Sequence, residues 1–497
     1  MNAIEYVLFG VVVVGNLSVG LYFSLHKHGR NAGPTSAALE VFLGSRTLTM
    51  LPPAASTVAS ILSSTGLVAI PAHYYAYGWH LMWAGIMPLF LLPLATHVFV
   101  PVIYKLGVTS IFEYIRLRFN SAISVSACAI YLILTQSVGA IVIFAASLAV
   151  QTVFHTPLLW CNIAIGLSGT VYTALGGLRG VVWTDCVQFF IILCAPATIV
   201  AKVMYDSMSP ISVVHPPNDL DISNYIARFN LNFTSDENVW SGLFGGVAPR
   251  IYRLCFDQVV AQRMIASKTL KDAQRTAITS SILSIFAYGS LLSMGVALTI
   301  WFRGCDPLLS GVINRVDQVL PYYINTRLVQ VPGFVGLFLA GVVCAATSTT
   351  SSMINSQAAI LYVDVISPRW KNANQHVLCI TRCTALGLGI IMTVYSTVCV
   401  YMGSLSRVFL MVYSGLTSPF VGLCLLAMLF PFVHSKGAAV ATIVTVVFQL
   451  WHITKAIQMG AAPPRMPVSL DYCPGNVTLH TAVLDTFEGN RSYVAAG

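Results

Sequence analysis

Charged residues are scarce in this chain. Only 9% of its 497 residues are Asp, Glu, Lys or Arg, whereas soluble proteins carry about 25%. Hydrophobic residues make up 56%, and they recur in windows of roughly 20 residues, the length that crosses about 30 Å of hydrocarbon. A β-barrel would show short alternating segments instead. The composition therefore predicts an all-α polytopic membrane protein that spans the lipid bilayer.

The sequence also lacks the patterns that accompany enzymatic chemistry. It has no CxxC motif, no Cys/His metal cluster and no nucleophile–base pair, and its glycine-rich GGLRG has no P-loop pattern around it. The formal charge of +9 is not gathered into a basic, aromatic-interleaved patch, so we expect no nucleic acid as a partner. We expect a protein that is not an enzyme, with no catalytic residue and no cofactor.

Hydropathy predicts twelve spans. The first is retained, because no basic region or cleavage motif accompanies its apolar run. The seventh is the weakest, since it contains Pro249, Arg250, Arg253 and Asp257. The predicted spans cover residues 3–25, 48–72, 80–103, 122–153, 157–175, 181–205, 239–261, 277–302, 331–362, 377–401, 405–430 and 437–456.

Charge predicts the topology. With the N-terminus outside, the cytoplasmic loops and their flanks hold 15 of the 26 Lys and Arg, but five of the 17 Asp and Glu when Asp185 is counted with them. This is the positive-inside pattern. Three glycosylation sequons, at Asn232, Asn476 and Asn490, fall outside under the same topology. Cys305 and Cys473 also lie outside, where disulfides persist, and we predict a bridge between them.

Hydroxyl side chains crowd one apolar span. Residues 345–360 read AATSTTSSMINSQAAI, and Ala345, Ser348, Thr349 and Ser352 share a helix face. A second hydroxyl-rich span, residues 52–71, is interrupted by Pro and Gly. Broken helices with free carbonyls are the binding elements of many transporters. The two spans are consistent with a path for a hard cation such as sodium, or with Ser and Thr that bond their own helix carbonyls or join helices.

Several motifs identify a family. The stretch TALGGLRGVVWTDCVQFFI, residues 173–191, resembles the signature of the sodium/solute symporter family. Further stretches of the same resemblance are SRTLTMLPPAASTVASILSS, FDQVVAQRMIASKTLKDAQR, RGCDPLLSGVINRVDQVLPYYI and GLFLAGVVCAATSTTSSMINS. They are most similar to the branch of sodium-coupled monocarboxylate, multivitamin and iodide transporters.

The resemblance implies a LeuT-type fold of two inverted five-helix repeats with flanking helices. A leading helix and cytoplasmic loop would occupy residues 1–47, and the first repeat residues 48–205. An extracellular loop, 206–238, would precede the second repeat, 239–430. A trailing helix, 431–456, and an extracellular tail, 457–497, would follow. Relatives in this branch continue into another helix and a cytoplasmic tail, so the tail is interpreted as a truncated form or a short isoform.

The resemblance also implies a sodium site between the first and eighth core helices. Its ligands would be the carbonyls of Ala59, Leu62 and Ala345 and the hydroxyls of Ser348 and Thr349. Asp185, at the start of a cytoplasmic helix where the helix dipole favours a carboxylate, would cap that helix, pair with Arg179 or ease the release of sodium.

The sixth core helix departs from the family. Relatives are apolar and aromatic there, whereas this chain reads VWSGLFGGVAPRIYRLCFDQ. Arg250 falls at a substrate-facing position and Arg253 near the inner gate. Arg250 would pair with an anionic substrate, pair with Asp257, or lie in a water-filled vestibule; a faulty gene model of the segment is a further alternative.

Four more residues are candidates for contact with substrate: Gly66, which offers no hydrogen bond where sugar-carrying relatives place Gln, and Gln136, Trp240 and Phe244. Together these observations predict a plasma-membrane symporter that imports a small organic anion with sodium. The alternatives are an inorganic anion, a sugar, inositol or choline as substrate, and a non-transporting, sodium-modulated sensor or accessory subunit.

Overall fold

Helices form the architecture of the chain. The computed structural model describes residues 3–25, 42–44, 48–208, 222–229, 231, 238–370, 373–401, 405–459 and 465–473. The first half contains α1 (Ala3–Leu25), α2 (Leu51–Ile61), α3 (Ser64–Tyr77), α4 (Met82–Leu106), α5 (Ile111–Arg118), α6 (Ser121–Phe154), α7 (Leu158–Leu178) and α8 (Gly180–Ser207). The second half contains α9 (Gln258–Ile265), α10 (Leu270–Phe302), α11 (Val319–Thr326), α12 (Phe334–Ile360), α13 (Val377–Val398), α14 (Leu405–Leu429) and α15 (Ser435–Met459).

Most of these helices are long and apolar enough to cross a membrane. Among the described residues, 10 qualify by themselves, and α2 with α3 forms one further span that is bent by 54°. Eleven of the twelve predicted spans therefore coincide with helices; their ends agree to within about five residues, except that the eighth helix begins seven residues before its predicted start, at Leu270. The prediction of an all-helical polytopic membrane protein is confirmed.

The seventh predicted span is not a continuous helix. Its residues form three short pieces, Ser241–Gly245, Val247–Ile251 and Tyr252–Phe256, before α9 begins. Two of the pieces are π-helical turns, which are frequent at functional sites. One proline and two arginines lie inside this segment of 16 residues. The proline disrupts the helical backbone, and the arginine side chains interrupt the apolar run.

Residues 176–180, which separate the fifth and sixth predicted spans, do not form a loop. Helices α7 and α8 run almost without interruption, and only Gly177 leaves helical geometry (φ 63°, ψ −172°). This φ lies in the region that glycine alone adopts without a steric penalty. The two helices therefore meet at a kink at Gly177, where the sequence had indicated a loop.

The hydroxyl-rich helix α12 lies at the centre of the molecule. In its apolar window of 18 residues, 89% is buried, whereas only 6% of the corresponding window of the peripheral α15 is buried. Glycines allow its neighbours to approach closely: a Cβ on Gly169 of α7 would lie 2.9 Å from Thr350 Oγ1, and one on Gly341 would lie 2.9 Å from Ala195 of α8. Because α12 is surrounded by other helices, its polar side chains meet protein and not lipid.

Candidate functional site

The first part of the site is the break between α2 and α3. Ser63 is extended (φ −77°, ψ 169°), and its hydroxyl accepts a hydrogen bond from the N–H of Gly66 (3.3 Å), as an N-cap does. The N–H of Ser63 bonds the carbonyl of Ile61 (3.0 Å). In a continuous helix these two N–H groups would bond the carbonyls of Ala59 and Leu62. The break therefore frees both of these oxygens.

Helix α12 meets this break through Thr349. Its Oγ1 lies 3.1 Å from the carbonyl oxygen of Ser60 and 2.9 Å from that of Ala345, so the hydroxyl bridges two helices. The neighbouring Ser348 is fully buried, and its Oγ has no hydrogen-bond partner among the described residues. A buried hydroxyl without a partner costs about 1–3 kcal/mol. The five residues of the predicted sodium site thus lie on the two elements that Thr349 joins.

The other hydroxyls of α12 are mostly satisfied within their own helix. Four of them donate to carbonyls three or four residues earlier: Thr347, Thr350, Ser351 and Ser356. This is the local bonding by which Ser and Thr are tolerated inside helices. It accounts for these four side chains without any ligand.

Next to this region lies a buried ion pair that the sequence did not reveal. Arg263 Nη2 is 2.9 Å from Asp185 Oδ2, and the two side chains are at most 1% exposed. Three serines complete the cluster. Ser56 Oγ donates to the same carboxylate oxygen (2.7 Å) and accepts from Arg263 Nε (2.7 Å). Ser60 and Ser352 also accept from Arg263 Nη2, at 2.8 and 2.6 Å. One cationic side chain therefore ties α2, α8 and α12 to α9.

The expected surroundings of Asp185 need correction. Its carboxylate neither starts a helix nor bonds backbone N–H groups; it bonds side chains from other helices. Arg263 forms an ion pair with it, while the predicted pair with Arg179 stays a prediction, since the side chain of Arg179 lies outside the described residues. Ser348 lies beside Asp185, and Asp185 Oδ1 has no hydrogen-bond partner of ordinary geometry. Arg263 was visible in the motif FDQVVAQRMI, but its position in an amphipathic-looking end of a span gave no sign of burial.

A cavity opens beside the break. Arg250 lines it, together with Thr57 and Ile61 of α2, Pro88 of α4, and Ser284 and Tyr288 of α10. The guanidinium of Arg250 lies over the ring of Tyr288, 4.9 Å from its centroid. Arg250 has no carboxylate partner among the described residues.

Arg253 lines the same cavity but is paired. It forms an ion pair with Asp257 one turn later, and Asp257 also accepts from the hydroxyl of Tyr131 (3.1 Å) and N-caps α9. Of the alternatives for Arg250, a pair with Asp257 is therefore not observed. An intramembrane arginine that faces a cavity without a counter-charge is typical of substrate sites.

The remaining substrate candidates lie elsewhere. Gly66 is in the first turn of α3, next to the sodium-site residues. Gln136 Nε2 donates to Gln357 Oε1 (2.9 Å) and to the carbonyl of Leu388. Trp240 stacks on Phe244, which is 64% exposed. None of these four residues lines the cavity of Arg250.

The residues that were predicted to lie outside the membrane divide into two groups. Cys305 and Cys473 are joined as a disulfide, with Cα atoms 4.8 Å apart. The three sequon residues, Asn232, Asn476 and Asn490, lie outside the described residues, and their glycosylation stays a prediction.

Comparisons with known proteins agree with this geometry. A family model described as the sodium:solute symporter family matches residues 41–445. The chain is 29% identical to sodium-coupled monocarboxylate transporter 2 of Danio rerio, over 90% of this chain and 71% of that protein. It is 28% identical to sodium-coupled monocarboxylate transporter 1 of Homo sapiens, over 97% and 78% of the two chains. It is also 28% identical to the sodium/iodide cotransporter of Homo sapiens, over 90% and 69%.

A solved structure shares the architecture. A sodium-coupled sialic acid symporter, in its substrate-bound outward-open state, superposes with a TM-score of 0.77, covering 94% of this chain and 99% of that one at 20% sequence identity. This likeness establishes the LeuT-type fold.

Proposed function

The chain belongs to the sodium:solute symporter family, and from this membership we propose that it imports a small organic anion together with sodium by alternating access. It is a multi-pass membrane transporter and not an enzyme. Relatives along most of its length are named for monocarboxylates and for iodide. Monocarboxylates and iodide are small anions, which supports an anion as the substrate here.

The observation that carries the proposal is the break of α2 and α3 against α12. Two carbonyl oxygens there have lost their helical donors, and the buried hydroxyl of Ser348 makes no hydrogen bond of ordinary geometry within the described part of the chain. Sodium is a hard cation, and neutral oxygens of this kind can replace its hydration shell. Sodium bound by the carbonyls and hydroxyls would hold the two helices together. The five ligands would be Ala59, Leu62, Ala345, Ser348 and Thr349.

The ion pair of Asp185 and Arg263 supports reversible binding. Since Arg263 already compensates the carboxylate, the sodium site carries little net negative charge. A site of mostly neutral oxygens binds sodium weakly enough to release it into the cell, where sodium is scarce. The free Oδ1 of Asp185, beside Ser348, would offer the departing ion its next ligand.

Arg250 is proposed as the partner of the substrate's negative charge. Its planar guanidinium can accept a carboxylate in a bidentate geometry, and the ring of Tyr288 holds it at the cavity wall. A neutral sugar would leave this charge without a counter-ion in a membrane interior, which is costly. We therefore favour a carboxylate over a sugar, inositol or choline.

The orientation is part of the same proposal. Placing the N-terminus outside, in the plasma membrane, puts most Lys and Arg on the cytoplasmic side. It also puts the disulfide of Cys305 and Cys473 in an oxidising compartment. No cofactor is proposed beyond the transported sodium.

The test is uptake by cells that express the chain at their surface. Labelled lactate, nicotinate, biotin, pantothenate, iodide and glucose would be supplied in sodium medium and in choline medium. Sodium-dependent uptake of one anion, lost in Ser348→Ala plus Thr349→Ala, is the expected result. The matched control is Ser147→Ala plus Thr350→Ala, because those two buried hydroxyls bond only their own helices. Surface protein without any sodium-dependent uptake would refute transport and favour a sensor.

A further inference from the structure

A segment that follows the trailing helix α15 folds back over the outer end of the molecule. Residues 465–473, here called the outer strap, are joined to two places by backbone hydrogen bonds. On one side the N–H of Met466 bonds the carbonyl of Ala76 in the last turn of α3 (2.7 Å). On the other side the strap bonds the chain just after α10: Ser469 N–H to Arg303 O (2.9 Å), Asp306 N–H to Ser469 O (3.1 Å) and Tyr472 N–H to Gly304 O (3.0 Å).

One buried carboxylate links all three segments. Asp306 is fully buried, and its Oδ2 accepts from the hydroxyl of Tyr75 in α3 (2.6 Å) and from Arg465 Nη2 in the strap (2.7 Å). Its Oδ1 accepts from the N–H groups of Leu308 and Leu309 (2.6 and 2.8 Å). A buried carboxylate is tolerated only with such a set of partners. Loss of the strap would therefore remove the Arg465 guanidinium that compensates the buried charge of Asp306.

Apolar packing and a covalent bond reinforce the same contact. Met466 is 3% exposed and packs with Tyr74 and Trp79 at the outer end of α3. The disulfide from Cys305 to Cys473 fixes the far end of the strap to the chain after α10. The ten other cysteines are free, so this bond is the one that a reductant would cleave.

The strap holds the helix that ends at the sodium site. α3 has 14 residues and is about 21 Å long at 1.5 Å per residue. Its outer end carries Tyr75 and Ala76, and its inner end begins at the break with Ser63 and the freed carbonyl of Leu62. A displacement of the outer end along the helix axis would be transmitted to that carbonyl, because one helix of 14 residues joins the two.

We propose that Asp306 and Arg465 are positioning residues for the sodium site. They act through Tyr75, and the disulfided outer strap fixes α3 against α10 so that the break faces α12. This inference rests on the proposed sodium symport. A strap that only stabilised the outer surface would leave the affinity for sodium unchanged when it is cut.

The test uses the purified full-length chain and needs no substrate. Sodium that binds the folded state raises the unfolding temperature according to its concentration and dissociation constant, so titration with sodium at constant ionic strength, balanced with choline, gives the half-maximal concentration. The measurement would be repeated after reduction with a phosphine. Alkylation and mass spectrometry would verify that Cys305 and Cys473 were freed.

Reduction should raise the half-maximal sodium concentration about five- to tenfold, which corresponds to a loss of about 1–1.4 kcal/mol of binding free energy. Arg465→Gln should do the same without reductant, and Arg465→Lys should restore most of the affinity. The variant with Cys305→Ser and Cys473→Ser should no longer respond to the reductant. Acute reduction acts on protein that has already folded, so a folding defect of a variant does not confound it.

Two results would overturn the proposal, and they differ. If sodium raises the unfolding temperature equally before and after verified reduction, and in Arg465→Gln, the strap does not position the site although sodium binds. If sodium has no effect on the untreated protein while choline gives the same curve, the sodium site itself is wrong, and the role of the strap falls with it.

Discussion

Replacing Ser348 and Thr349 one at a time should separate a sodium ligand from a structural hydroxyl. Ser348 Oγ is buried beside Asp185 and makes no hydrogen bond of ordinary geometry among the described residues, whereas Thr349 Oγ1 bridges Ser60 and Ala345. Ser348→Ala therefore removes an unsatisfied group, which relieves up to about 1–3 kcal/mol of desolvation cost. Thr349→Ala removes a bridging hydrogen bond worth about 0.5–1.5 kcal/mol. The two variants should change the stability of the sodium-free protein in opposite directions.

Both variants should weaken the binding of sodium. An interaction between a hydroxyl and a charged partner is worth about 1.5–3 kcal/mol, and about 1.4 kcal/mol corresponds to a factor of ten in affinity. Each variant should therefore raise the half-maximal sodium concentration by roughly 10- to 100-fold.

Thermal unfolding in choline and in sodium medium measures both quantities on one sample. In choline, Ser348→Ala should unfold at the same temperature as the wild type or higher, and Thr349→Ala at a lower one. Thr350→Ala is the control, because its hydroxyl bonds its own helix. A Ser348→Ala protein that is less stable in choline and responds normally to sodium would refute the assignment of Ser348 as a ligand.

Three further results are expected. Arg263→Met should lower the yield of folded protein sharply, because it leaves Asp185 as a buried, unpaired charge at a cost of about 3–5 kcal/mol; adding Asp185→Leu should restore folding, as size-exclusion profiles would show. Arg250→Gln should raise the KM for the anionic substrate by roughly 10- to 100-fold, with the half-maximal sodium concentration unchanged in uptake assays. Gly336→Ala should lower the unfolding temperature, because its Cβ would lie 2.5 Å from a backbone oxygen of α1, whereas Gly387→Ala on α13 meets nothing within 4 Å and should not.

Each of these expectations has a contrary outcome. If Arg263→Met alone is as well folded as the double variant, the ion pair does not compensate a charge. An unchanged KM in Arg250→Gln would remove that side chain from the substrate site. Equal unfolding temperatures for the two glycine variants would show that α1 moves aside easily at the start of α12.

Hydropathy was enough to locate the membrane helices. A hydrocarbon core accepts only segments whose backbone is internally bonded, so apolar windows of sufficient length predict spans directly, and eleven of twelve matched helices. The seventh predicted span was difficult to recognise, because Arg250, Arg253 and Asp257 lower the hydropathy of a segment that lies among other helices. Its division into short helical pieces depends on neighbours that sequence periodicity does not include.

The sodium site was predicted by resemblance and not by spacing. Periodicity placed Ser348 and Thr349 on one face of α12 with Ser352, but it could not distinguish hydroxyls that bond their own helix from one that bonds nothing. That distinction depends on tertiary packing, which sets Thr349 against the carbonyl of Ser60 in α2 and Ser348 beside Asp185 of α8.

The sequence by itself determined the places of eleven spans, the hydroxyl-rich helix, the broken helix, the family resemblance and the two cysteines of the disulfide. These features depend on local composition or on motifs, and both are present along the chain. Only the tertiary structure decided that Asp185 pairs with Arg263, that Asp257 takes Arg253 and leaves Arg250 facing a cavity, and that Asp306 joins α3 to the outer strap. In each of these cases the charged partners are distant in sequence, or two arginines compete for one carboxylate. Burial decides between them, because an ion in a low-dielectric interior must have the counter-charge that packing brings to it.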